Sequence, residues 1–313
     1  MIRGMNASAE RFLAAIDRID TRLERAEREV MTGKRINTAA DAPDEVSRLL
    51  VLHASLDRCV QTGYNLARVK TEVDTAESAL RSAVKALDEI NKLGAQGATE
   101  TQSVSDRQAV AEGVRAYFEQ LVNLAGTAVG GRYLFSGDND AVVPYVVDFT
   151  AANGVSAYQG SDATREIEHP AGTRFSVDKT ADGIFDAAGA SVFAAVNALR
   201  LALENGPAEG DPDYEAAFAA QTGAILAALD DLRVARDHVA GDLATMGTTQ
   251  VRVNDAVTAA SQLEMRLRTE VGSVEDADVT QSVLDLNLAV IHRNAALSAR
   301  AKLPQGSLFD FLG

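Results

Sequence analysis

The stretch Gly131–Gly137, GRYLFSG, crowds Arg132, Tyr133, Leu134, Phe135 and the hydroxyl of Ser136 between glycines, the texture of a loop that could present a nucleophile. A reactive serine needs a base and an orienting acid in reach. No histidine stands at a recognisable spacing from Ser136, so the residue reads as a turn hydroxyl. His53, His169, His238 and His292 are scattered, with no second His or Cys at metal-ligand spacing. His53 falls on an apolar stripe and reads as a packed core residue, and the other three read as surface or loop residues. Cys59 is the single cysteine, so no internal disulfide can form, and its place in a helical pattern suits a small packing residue. Phosphate-loop, dinucleotide and nucleophile-elbow patterns are missing, and Asp and Glu spread along helix faces instead of gathering beside glycine turns. These residues predict no enzyme, no cofactor and no metal site.

The elements that would have to position any chemistry are mostly helices. The chain has 313 residues, enough for two or three domains with a sizeable core. Its formal charge of -15 works against phosphate-backbone binding, so nucleic acid is not an expected partner. No run of eighteen apolar residues occurs, which predicts no membrane insertion, and the start MIRGMNASAERFL lacks the apolar core of a signal peptide. Export, if it occurs, needs another route.

Phe12, Ile16, Ile19, Leu23, Ala26 and Val30 alternate spacings of four and three, a coiled-coil seam with a mixed-sign charged face around it. Gly33 permits a left-handed helix end, and KRINTAADAPDE follows as a connector, with Asp41 as expected N-cap and Pro43 in the next first turn. The stripe restarts at Val46, Leu49, His53, Leu56 and Val60, shifts phase near Gly63, and runs on from Leu66 to Ile90 before Gly94 and Gly97. Ser105 and Gln108 have capping-box spacing for a further helix that ends at Gly130 and Gly131. Residues 132–189 then change texture to short β-branched or aromatic runs between Gly, Asp, Asn and Pro, which predicts a small inserted β-rich domain. Helical pattern returns at ASVFAAVNALRLALENG, then after Asp213, with Gly247 as a possible interruption, and last after Ser273 as cap until Pro304.

The expected architecture is mainly α: an elongated coiled-coil bundle of both terminal regions with an inserted β part. Expected boundaries are 1–40 with 273–313 for assembly, 41–131 with 190–272 for a helical core, and 132–189 outermost. A two-helix coil of terminal segments has little core of its own, so it suits either self-assembly or a cytoplasmic coiled-coil scaffold.

Three segments together resemble the bacterial flagellin family. MTGKRINTAADAP is similar to its N-terminal connector, with Gly33, Lys34, Arg35, Asn37, Asp41 and Pro43 in the family places and Thr32 where serine is usual. GRYLFSG is similar to the segment that opens the variable β part in junction subunits more than in filament subunits. NAALSARAKLPQGSLFDFL resembles the C-terminal helix and tail through Asn294, Leu297, Lys302, Leu308, Phe309 and Leu312. The resemblance implies a non-enzymatic structural subunit of the flagellum, extracellular, exported unfolded through the type III route without a cleaved signal. Its implied partners are itself, hook-associated protein 1, flagellin and a flagellar export chaperone that covers Val279–Leu312. It also implies terminal helices that order among neighbours; on the apolar stripes, Phe12, Ile16, Ile19, Leu23, Val283, Leu286 and Val290 are the expected subunit-packing residues. Filament flagellin is the nearest alternative.

Overall fold

A computed structural model describes residues 2–208 and 212–302, with side chains from residue 9 to residue 301. In chain order the elements are α1 (Ile2–Thr32), α2 (Pro43–Gly97), α3 (Val104–Ala125), β1 (Ala128–Val129), β2 (Arg132–Tyr133), β3 (Glu166–Glu168) and β4 (Arg174–Ser176). Then come α4 (Ala181–Phe185), α5 (Val192–Glu204), α6 (Tyr214–Glu275) and α7 (Val279–Lys302). No helix among the described residues is long and apolar enough to cross a membrane.

The chain divides into two compact units, residues 1–60 with 262–313 and residues 61–261. α2 and α6 each supply residues to both. The expected boundaries at 40 and 273 thus fall at 60 and 262, and the stretch 132–189 lies wholly within the second unit. This is because its aromatics enter the helical core: Phe135, Tyr145 and Phe185 are buried together with Leu80, Leu87, Ile90, Phe118 and Leu121 and with Phe193 of α5. Phe193 meets Tyr145 edge-on at 5.0 Å between ring centroids and Phe118 at 5.9 Å, a preferred aromatic geometry.

The inserted part is less β-rich than its composition suggests. It holds β2 and the antiparallel pair β3–β4, in register Glu166↔Ser176, Ile167↔Phe175 and Glu168↔Arg174. VVPYVVDF makes only a single bridge, Val147↔Val155; Pro144 has no amide to give a ladder, and its aromatic side chains fill core instead.

The long heptad run is as regular as its spacing: Leu66, Val69, Val73, Ala76, Leu80, Ala83, Leu87 and Ile90 are all buried. Of the glycines expected to interrupt helices, Gly94 and Gly247 do not, whereas α2 ends at Gly97. α2 passes Gly63 and continues to Gly97, and α6 is unbroken at Gly247. At Gly94 an added Cβ would come within 2.6 Å of Leu229, and at Gly97 within 2.4 Å of Leu203, so these two glycines permit close helix approach.

Several caps differ from expectation. α3 begins at Ser103, whose hydroxyl accepts from the Asp106 amide while the Asp106 carboxylate accepts from the Ser103 amide, so the capping box sits two residues before Ser105. α3 also stops at Ala125, and Gly130 (φ +59°) with Gly131 (φ +82°) forms the tight turn of the β1–β2 hairpin. α7 is capped by Asp278, whose carboxylate accepts from the Gln281 amide, while Ser273 lies inside α6 and donates to the Glu270 carbonyl.

One cation is fully buried in the second unit. Arg107 donates to Gln221 Oε1 (2.8 Å) and Thr222 Oγ1 (2.9 Å) and lies over the Phe218 ring at 3.8 Å. Gln221 in turn donates to the Ala202 and Leu203 carbonyls near the end of α5. The negative end of that helix dipole favours the buried cation, although desolvation still lowers the guanidinium's pKa.

Candidate assembly interface

In the first unit α1 packs antiparallel on α7. Arg300 lies 5.5 Å over the Phe12 ring, Arg293 Nε is 3.0 Å from Asp20 Oδ1, and Ser282 Oγ donates to Glu29 Oε2 at 2.9 Å. As α1 proceeds, its partners move back along α7. Ala26, Ser282 and Ala289 are the buried residues of this pair. Small side chains let the two helices approach, and the Glu29–Ser282 bond is a polar contact that fixes register in an otherwise permissive seam.

The predicted packing residues divide. Phe12, Ile16, Ile19, Leu23 and Leu286 are half-buried. Val283 and Val290, with Val279 and Leu297, are exposed by 38–48%. The stripe they were expected to form exists, but the face turned to α1 is the neighbouring one of Ser282, Leu286 and Ala289, because the smaller residues allow a closer seam. Leu284 and Ile291 are exposed on the far side of α7, and Leu288 is exposed beside the α1 seam. α7 is therefore apolar on several faces and covered on one, the pattern of a helix that belongs in a larger bundle.

The connector shows what each motif residue does. Gly33 takes φ +70° and its carbonyl accepts from the Ala277 amide at 2.9 Å. The amides of Arg35 and Ile36 both donate to the Glu275 carbonyl, and Lys34 bridges to Asp276, so the α1–α2 connector is stitched to the α6–α7 connector. Lys34 Nζ lies 2.7 Å from Glu275 Oε1, and Arg35 donates to the Val274 carbonyl at 2.8 Å and pairs with Glu45. Asn37 closes the turn by donating to the Lys34 carbonyl, and Thr32 in the usual serine position accepts from the Lys34 amide. Pro43 opens α2 at the one place where its missing amide costs nothing.

Asp41 does not cap α2. Its carboxylate turns back to accept from the Asn37 and Thr38 amides and the Thr38 hydroxyl. The Thr38 amide bond is the main reason its pKa is lowered. Beneath the connector, Ile36, Leu49, Leu52, Val271 and Val274 form a small separate core.

Sequence reasoning missed Glu275, which is 8% exposed and receives Lys34, while His53 Nε2 lies 3.2 Å from its other oxygen. His53 accordingly is a half-buried hydrogen-bond partner, and Leu49 and Leu52 take the core position expected for it. His238, expected at the surface, is half-buried and bonds the Gly183 carbonyl at 3.0 Å. The available signal for Glu275 was its place between the apolar end of α6 and two aspartates, opposite a connector with two adjacent cations.

Around GRYLFSG no catalytic geometry exists. Ser136 is buried and donates to the Val142 carbonyl at 2.9 Å. Phe135 packs inside the unit against Phe185, Tyr133 and Leu134 are half-buried, and Arg132 pairs with Asp140. At Gly137 (φ +62°) a Cβ would collide with the Ser161 carbonyl, so the motif's glycine is sterically required. A shallow cleft of about 200 Å³ beside it holds Glu72, Arg165 and Asp178; burial raises the Asp178 pKa. Cys59 is buried, and burial raises its thiol's pKa as well. Among the described residues no group of three His, Cys, Asp or Glu is placed to hold a metal. Pro304, Leu308, Phe309 and Leu312 lie outside the described residues, as does the Lys302 side chain.

Residues 5–140, which include α1, the connector, α2 and the hairpin motif, match the bacterial flagellin N-terminal helical region. The match covers somewhat under half of the chain. Among curated proteins it is 28% identical over 208 residues to flagellar hook-associated protein 3 of Escherichia coli, a match covering 61% of this chain and 63% of that relative. The chain thus spans less than two thirds of that relative's length. Its fold is that of a hook-associated protein structure from Vibrio parahaemolyticus (TM-score 0.61, 21% identity, 75% of this chain and 100% of that one). It is likewise similar to the flagellar junction protein FlgL of Legionella pneumophila (TM-score 0.54, 13% identity, 66% and 99% covered).

Proposed function

We propose that this chain is the structural subunit that joins the flagellar hook to its filament, a hook-associated protein 3. In that role copies form a ring between hook-associated protein 1 and the first turn of flagellin, and no chemical step is catalysed. The observation that carries it is α7, apolar on several faces and covered on one, paired with an α1 whose seam is half-buried. Neighbouring copies would complete that bundle, so folding of the ends and assembly are coupled and ordering entropy is offset when apolar surface is covered. Subunits reach their place through the type III export channel, and before export a chaperone covers the region from Val279 to Leu312.

Deletion of the gene is the direct test. Cells should finish the hook and export flagellin but lose it into the medium, and restoring the chain should restore filaments. A bare hook with no released flagellin would point instead to filament flagellin, a reading favoured by the family's N-terminal region. Recovery of the protein only from cytosol, never from sheared appendages, would support a coiled-coil scaffold. Truncation at Val279 should abolish chaperone capture; unchanged capture would refute the assignment of that region.

A further inference from the structure

Between residues 11 and 27 the charges on α1 are sorted by sign; beyond them Glu29 falls in the arginine arc and pairs with Arg25. Arg11, Arg18, Arg22 and Arg25 fall within about 60° of arc at 3.6 residues per turn, on one flank of the apolar seam. Asp17, Asp20, Glu24 and Glu27 fall within about 80° on the other flank. All eight are exposed except Asp20, which is half-buried and pairs with Arg293 of α7. Arg11, Arg18, Arg22, Asp17, Glu24 and Glu27 have no ion-pair partner in the chain among the described residues.

Such sorting works against the isolated helix. Arg18 and Arg22, Arg22 and Arg25, Asp17 and Asp20, Asp20 and Glu24, and Glu24 and Glu27 are like-charge neighbours three or four apart, where opposite signs would stabilise. The Arg ridge also borders an open groove of about 560 Å³, whose α1 wall carries Arg22, Arg25, Ala26 and Glu29, the last paired with Arg25, and whose α7 wall carries Asp285, Leu288 and Ala289. On its α1 wall Arg22 has no ion-pair partner among the described residues, and on its α7 wall Leu288 is exposed.

We propose that this groove receives α1 of a second copy of the chain, with the acidic ridge of Asp17, Glu24 and Glu27 laid along the Arg18–Arg22–Arg25 ridge. A two-fold pair that set this flank against itself would put arginine against arginine. Opposite flanks of opposite sign dock by the same step repeated from copy to copy, a heterologous contact that closes into a ring or continues as a helix. Charge complementarity then sets direction and register, and apolar burial at the groove supplies holding strength. This inference rests on the self-assembly reading above and adds which faces meet.

The test uses the full chain and two double variants, Arg18→Glu with Arg22→Glu and Asp17→Lys with Glu24→Lys. Self-association is measured by sedimentation velocity across concentration at low and high salt, with circular dichroism to establish that each variant keeps its helices. Each variant alone should associate at least about tenfold more weakly than the wild type, and an equimolar mixture should recover to within about threefold of it. The wild-type association should weaken at high salt. A variant that associates as the wild type does, or a mixture as weak as its components, would overturn the ridge pairing while leaving self-assembly intact. No association by the wild-type chain at any concentration would overturn the assembly reading and the ridge pairing with it.

Discussion

The unit of residues 61–261 and the unit of the two chain ends follow opposite designs. The first carries 15 Lys and Arg against 28 Asp and Glu, while the terminal unit carries 15 against 17. Almost the whole acidic excess therefore sits where the chain is well packed on itself, around Leu87, Phe118 and Phe193. The near-neutral unit has a connector core of five buried residues and leaves Val283, Leu284, Leu288, Val290 and Ile291 in water. A strongly charged body keeps copies apart in solution, and a near-neutral, under-covered end allows them to meet. Self-sufficient folding and readiness to assemble are thus assigned to different residues.

Substitutions break this comparison in graded ways. Phe193→Ala removes the ring that meets both Tyr145 and Phe118, and should cost about 3–5 kcal/mol in denaturant unfolding. Val290→Asn, at an exposed site on α7, should leave free-chain stability within about 0.5 kcal/mol while weakening co-assembly with wild-type copies. If both substitutions destabilise the free chain equally, the division between the units is wrong.

Glu275→Gln removes the carboxylate that Lys34 and His53 share, and should cost on the order of 1–3 kcal/mol, read as loss of amide protection in the connector and α1 with residues 66–90 unaffected. Ser103→Ala removes the cap of α3 and should cost about 1 kcal/mol, confined to the second unit.

Acid separates the two units by sign. Asp41 has a lowered pKa, so its contribution to the connector is present above the unfolded value near 3.8 and is lost as pH falls through the lower folded value. Asp178 has a raised pKa, so the folded second unit binds a proton more tightly than the unfolded chain does, and acidification through the window just above 3.8 stabilises it. Amide exchange followed from pH 6 to pH 3 should show the connector loosening while protection near Asp178 holds or rises. Asp41→Asn should flatten the first response, and Asp178→Asn the second.

Much of this was legible in the sequence where one physical rule acted alone. The run from Leu66 to Ile90 has strict spacing, so every residue that periodicity named there is buried, and only the flanking Glu72, Ala79 and Ala86 were missed. Prediction failed where rules competed. Gly94 looks like a breaker but lies inside α2, where a neighbouring helix comes close. VVPYVVDF has strand composition, yet the core needed its aromatics and Pro144 blocked a ladder. On α7 the sequence did not show which face meets α1 within the chain: small Ser282 and Ala289 pack there, and Val283 and Val290 stay exposed. Glu275 was hidden because its cations lie on the other side of a chain reversal some 240 residues away in sequence.

Amide hydrogen exchange on the free chain and on the assembled protein addresses the central claim most directly. The account predicts that residues 2–32 and 279–302 exchange fast in the free chain and slow on assembly, while residues 66–90 are slow in both. Equal protection of all three segments in the free chain would contradict it.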